Sequence, residues 1–126
     1  DDPVRAAERT LESFSSTSPD IVILLYHGFS ENAEELLSRV KGIHVTLISH
    51  EQKTIDAETW HDTVVVAPGN DGNTLGMLTV RKNWLGSLRF ENAFRTFSFL
   101  DDPDDPAYQA RIDEYIKSMS SGLKVD

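Results

Sequence analysis

The chain has 126 residues, enough for one domain with a real core and too few for two ordinary ones. Its 21 acidic and 12 basic residues give a net charge of −9. That argues against a nucleic-acid or anionic membrane surface, since both need clustered Lys and Arg. With no cysteine there is no disulfide framework, thiolate nucleophile or Cys-type metal site, which suits a reducing, cytoplasmic setting.

The chain opens on Asp1-Asp2-Pro3 without Met, and we read it as a domain excised from a longer protein. Asp2 caps a predicted helix with Pro3 in its first turn, and Val4, Ala7, Leu11 and Phe14 form an apolar stripe at helical spacing. Ser15 to Asp20 ends that helix in a loop. The longest apolar run follows, Ile21 to Tyr26, far short of the roughly 20 residues that span a bilayer. It reads as a buried strand that stops at His27-Gly28-Phe29-Ser30. Ser30 is the expected N-cap of a second helix, with Glu31, Glu34 and Glu35 near its positive end. Ala33, Leu36, Leu37 and Val40 supply its buried face, and Gly42 stops it.

Ile43 to Ser49 reads as a second strand, parallel to the first, with Val45 and Leu47 facing inward. The pattern fades from His50 to His61, taken as a loop, and Thr63 to Ala67 makes a third strand. Pro68 to Asn73 is strong turn chemistry, so Thr74 to Arg81 is expected to return as the third strand's antiparallel partner. Lys82-Asn83 is a turn, Trp84 to Phe90 is extended or loop, and Ala93 to Leu100 is a further strand. In the acidic linker Asp101 to Pro106 the last Asp caps a final helix. Its apolar face is Tyr108, Ile112, Tyr115, Ile116 and Met119, and Gly122 ends it. The order α-β-α-β-β-β-β-α describes one α/β domain with an α+β tendency, a mixed sheet of four to five strands with helices on its faces. Six phenylalanines and two tryptophans cannot all face water, so most belong to the core.

No complete catalytic motif is present. His27-Gly28-Phe29-Ser30 resembles the His-Gly segment before the oxyanion loop of α/β-hydrolases, yet no G-x-S-x-G elbow follows: Gly86-Ser87 lacks the spacing. As a structural corner, Gly28 permits the turn, Ser30 caps a helix and His27 ends a strand. Of the other histidines, His44 and His50 are about 20 Å apart on an extended strand and cannot share an ion. His50 and Glu51 can join His27 at the carboxyl edge of the parallel strands, with His61 or Asp62 nearby, as a polar ligand cleft. The Gly-x-x-Gly of Gly69 to Gly72 lacks a Lys and a following helix, and prolines interrupt the acidic run, so neither phosphate nor calcium sites are assigned. We assign no catalytic residue, metal or cofactor. Tyr26, His27, Phe29, Ser30 and His50, with Trp60 and Trp84 as neighbours, are the expected ligand-binding residues.

Trp60 before Val64-Val65-Val66, a strand from Leu75 to Arg81, then Arg89-Phe90-Glu91, Thr96-Phe97 and a closing helix resemble the DICT sensory domain over about residues 20 to 120. That resemblance implies a signalling role beside kinase, cyclase or DNA-binding modules of the same polypeptide. Leu85-Gly86-Ser87 after the strand ending at Arg81, followed by a Phe-rich strand and an acidic turn, is similar to a degenerate phospholipase-D-like sensing domain. That family's catalytic His-x-Lys pair has no match here, so this resemblance implies a catalytically silent copy. Both imply a non-catalytic sensory domain. A small hydrolase-like fragment using His27 and Ser30, or an interaction and dimerisation module that forms a homodimer, are the alternatives.

Overall fold

The computed structural model describes residues 2–69, 72–98, 100 and 102–122, the last two by backbone alone. Helix α1 (Pro3–Ser13) starts as its sequence dictates: the Asp2 carboxylate accepts the Val4 N–H at 3.0 Å, with Pro3 in the first turn. A short 3-10 turn over Phe14–Ser16 follows, and β1 (Ile23–His27) leads into α2 (Ser30–Arg39). β2 (Val45–Ser49) then runs parallel to β1, pairing Ile23 with Val45 and His27 with Ser49. Thus the strand–helix–strand unit forms as expected.

The segment expected as a loop after His50 is instead strand β3 (Thr54–Trp60), antiparallel to β4 (Thr63–Pro68). Two features hide it in the sequence. It is an edge strand whose exposed positions are polar (Thr54, Asp56, Glu58, Thr59), and the register shifts between Ile55 and Glu58, where Ala57 has φ +48°. A bulge of this kind breaks the period of two by which a strand is recognised. β4 also pairs in parallel with β2, so the four-stranded mixed sheet has the order β1-β2-β4-β3.

Both edges of β4 are therefore taken, and β5 (Thr74–Lys82) cannot be its partner. β5 pairs antiparallel with β6 (Leu88–Thr96) in a separate two-stranded sheet. The turn that joins them is fixed by Asn83, whose Oδ1 accepts the N–H groups of both Leu85 and Ser87 at 2.9 Å, with Gly86 at φ +87°. The expected strand over Ala93 to Leu100 ends at Thr96, and the segment from Trp84 divides between this turn and β6. The class is α+β.

The core lies on one face of the four-stranded sheet. Val4 from α1 and Ala33, Leu36 and Leu37 from α2 pack with Ile48, Ile55, Val65 and Ala67. Leu37 is 1% exposed, and burying one such side chain stabilises by about 1.5–3 kcal/mol. On β2 it is Thr46 and Ile48 that face this core. Val45 and Leu47, expected there, point to the opposite face, where no helix of residues 2–96 packs. The β5–β6 hairpin covers that face in part. Asn92 Nδ2 donates to Asp56 Oδ1 at 2.8 Å, and Lys82 pairs with Asp20 ahead of β1. Under the hairpin Val45 and Val66 are buried, whereas Leu47, Ile23 and Leu25 are 38%, 50% and 75% exposed.

The chain divides into two units, Asp1–Thr96 and Phe97–Asp126. The second contains α3 (Pro106–Gly122), capped as expected by Asp105, whose Oδ1 accepts the Ala107 N–H at 2.8 Å. Its stripe of Tyr108, Ile112, Tyr115, Ile116 and Met119 is exposed. The aromatic-rich third is not core as a whole: Trp84 is 90% exposed, Phe97 is exposed, Phe90 and Phe94 are half-buried, and Phe99 lies outside the described residues. The reason is that Trp84, Phe90 and Phe94 sit on a two-stranded ribbon and its turn, which has only one covered face. The turn residues Asn70 and Asp71, the linker residue Asp101 and the chain beyond Gly122 also lie outside the described residues. No described helix is long and apolar enough to cross a membrane.

Candidate functional site

Parallel pairing sets the site. It places the carboxyl ends of β1 and β2 side by side, and the Gly28 N–H continues the ladder by donating to Ser49 O at 3.1 Å. Glycine suits residue 28, whose φ is +157° and where a Cβ would stand 2.9 Å from Tyr26 Cε1 and push that ring aside. Phe29, with extended backbone, is the residue that precedes α2; Ser30 is already its first residue and does not cap it, contrary to expectation. The capping oxygen comes instead from Glu51, whose Oε2 accepts the Ser30 N–H at 3.1 Å. A carboxylate suits a helix N-terminus, where unpaired N–H groups gather. Its Oε1 accepts from the N–H groups of Gln52 at 2.9 Å and Lys53 at 3.3 Å. The Ser30 hydroxyl first, and these backbone N–H groups after burial has opposed them, hold the Glu51 carboxyl below its ordinary value of 4.5.

Between the two strand ends, His27 Nδ1 and Ser49 Oγ are 3.0 Å apart, and Ser49 Oγ is 3.3 Å from the Tyr26 carbonyl, to which it can donate. The hydroxyl has a single proton, so these two bonds have a direction. When Ser49 donates to the Tyr26 carbonyl, His27 Nδ1–H donates to Ser49, the reverse of what a general base for Ser49 would do. His50, held at φ +73°, turns its ring edge-on to both His27 (centroids 5.0 Å) and Phe29 (5.2 Å). Among the described residues no group of three His, Asp or Glu is placed to share a metal ion.

This polar corner is one end of a trough of about 740 Å³ between the helix-free face of the sheet and the hairpin. Ile23, Leu25 and Leu47 line its floor, and Leu78, Val80 and Phe94 its wall. A second hollow of about 420 Å³ lies at the other end of the sheet, where the Asp20–Lys82 pair, His44 and Asp62 meet.

His27 and His50 stand at the trough, as does Tyr26, whose ring also packs towards the helix-side core. Phe29 reaches it through His50, and Ser30 is tied to it through Glu51. Trp60 and Trp84 are elsewhere. Trp60 packs on the helix-side core with its Nε1 donating to Glu58 at 3.0 Å, and Trp84 stands in the β5–β6 turn. Nor are His61 and Asp62 near His27. They form the β3–β4 turn at the start of β4, and β4 runs parallel to β2, so that start lies beside His44; Asp62 pairs with Lys41 at 3.3 Å. His44 Nδ1 accepts the Val22 N–H at 3.0 Å. Sequence reasoning missed Ser49, Leu25 and Leu47. Ser49 was within reach of it, since pairing Ile23 with Val45 brings Ser49 beside His27.

Neither a family model nor a curated protein matches the chain.

Proposed function

We propose that the chain is a non-catalytic, ligand-responsive domain of a cytoplasmic signalling or transcription-regulatory protein, and that its ligand sits in the trough between the sheet and the β5–β6 hairpin. The observation that carries this reading is the uncovered apolar floor of Ile23, Leu25 and Leu47, which ends at the polar corner of His27, Ser49 and His50. A concave, mainly apolar hollow of 300–1,000 Å³ with a few convergent polar groups is what small-molecule sites look like. The likeness of the chain's motifs to two sensing families supports the same direction, with other domains of the polypeptide as the receivers of the signal. A ligand would act by bridging the hairpin to the floor, favouring one placement of a ribbon that meets the sheet at few points.

The test is titration of the full chain with the uncharged fluorophore N-phenyl-1-naphthylamine and a panel of apolar metabolites. Binding is expected in the wild type and its loss in Leu25→Asp, a substitution at an exposed edge position that leaves thermal unfolding nearly unchanged. Undiminished binding by Leu25→Asp, or no binding by the folded wild type, defeats the proposal.

A second reading, a module for protein interaction or homodimerisation, is favoured by one separate observation: the exposed apolar stripe from Tyr108 to Met119 on α3. It predicts a concentration-dependent mass in sedimentation that Ile112→Glu abolishes.

A further inference from the structure

We propose that the trough selects a single-headed amphiphile with an anionic head, an apolar chain bearing a carboxylate, with the head held by His27 and His50. This rests on the ligand-responsive reading above and narrows it to a chemical class.

The first ground is charge. The chain has 21 carboxylate side chains and a net charge of −9, yet none of those carboxylates lines the trough among the described residues. Among the described residues the only lining groups that become cations are His27 and His50, and both are at the same end, with ring centroids 5.0 Å apart. A chain so acidic that leaves one concavity free of carboxylates has there a surface to which an anion can come. Nearby Glu51 turns its two oxygens to the N–H groups of Ser30, Gln52 and Lys53 at the start of α2 and the turn after β2.

The second ground is the direction of the hydrogen bonds. Ser49 Oγ can donate a hydrogen bond to the Tyr26 carbonyl and accept one from His27 Nδ1–H. With Nδ1 so occupied, Nε2 is an acceptor in the neutral ring and a donor in the imidazolium. An imidazolium at His27 therefore satisfies the Ser49–Tyr26 relay and offers one further charge-assisted N–H, which a carboxylate accepts. The other titratable group facing it is His50, with ring centroids 5.0 Å apart. The hairpin contributes Thr74 and Asn92, neither of which titrates.

The third ground is length. The floor along β1, from Ile23 to His27, runs about 13 Å at roughly 3.3 Å per residue. With C–C bonds of about 1.5 Å in zigzag, that is the reach of an extended chain of about ten carbons. Its far end meets Val45 and Val80 and, among the described residues, no further charged lining group, so the ligand has one head only.

The experiment is calorimetric titration of the full chain with decanoate and with decan-1-ol, below their aggregation concentrations, with N-phenyl-1-naphthylamine as a neutral reporter of the trough. Decanoate is expected to bind about tenfold more tightly than decanol at pH 6, as a charge-assisted hydrogen bond to the head requires. His27→Ala with His50→Ala should remove the preference but keep decanol binding, and Leu25→Asp should remove both ligands. If decanoate and decanol bind alike, or the preference survives in the histidine variant, the anionic-head inference is overturned while the apolar trough stands. If decanol and the neutral reporter bind but decanoate does not, the inference is likewise overturned. If the folded chain binds none of the three, the ligand-responsive reading falls with it.

Discussion

Glu51 shows how one side chain can settle two segments at once. It is 8% exposed, and its carboxylate closes the start of α2 while pinning the turn after β2. Glu51→Gln keeps an oxygen for Gln52 and Lys53 but turns an NH₂ towards the Ser30 N–H. The expected loss at neutral pH is about 1–2 kcal/mol in urea unfolding. Because the folded carboxyl titrates below its ordinary 4.5, its contribution is complete above that value and is lost as pH falls through the folded one. The difference between wild type and Glu51→Gln should therefore shrink as pH falls below that ordinary value; a difference that persists in strong acid would show that the charge is not what matters. Thr46 is the converse case. It is fully buried and its Oγ1 has no hydrogen-bond partner among the described residues. An unpaired buried hydroxyl costs free energy that a methyl of the same shape does not. Thr46→Val should stabilise by about 1 kcal/mol, read as a higher urea midpoint with an unchanged slope.

Among the elements, legibility follows how much of a segment's pattern is local. α1, α2 and α3 are readable because capping residues and apolar spacing act within one or two turns: Asp2, Asp105, and the stripe Ala33, Leu36, Leu37. Even so, Ser30 misleads, since a Ser before a run of glutamates reads as a cap while the actual capping oxygen comes from 21 residues away. β3 was not readable, because an edge strand needs few apolar residues and its bulge destroys the alternation. The β5–β6 ribbon depends on Asn83. Losing its two N–H acceptor bonds in Asn83→Ala should cost about 1–2 kcal/mol, felt locally because a two-stranded ribbon is marginal by itself. Amide exchange should speed up in Thr74–Lys82 and stay unchanged in β2; equal acceleration in both strands would mean that ribbon and sheet open together.

At the scale of the whole molecule, all the residues of the buried core cluster lie between Val4 and Ala67, inside the unit that ends at Thr96. A chain that stops after Thr96 should accordingly lose from its circular dichroism only the helical signal of α3 and still unfold cooperatively, with a midpoint close to that of the full chain. A shortened chain that is unfolded, or whose midpoint drops by more than about 5 °C, would show that Phe97–Asp126 contributes to that core. Sequence by itself determined the class: apolar runs, caps and turn residues act over short separations, and they make α1, β1, α2 and β2 with little choice of arrangement. Tertiary structure decided which strands pair. β4 offers two edges and several segments can take them, so only the whole sheet fixes that β3 wins and β5 is left to β6. It also decided that the second face of the sheet is half covered. The run Ile21 to Tyr26 is apolar on both faces, as a strand buried on both sides would be. Whether a second layer arrives is not written in the strand but in where the hairpin lands, and it lands over β4 and β3, leaving Leu25 and Leu47 open beside His27.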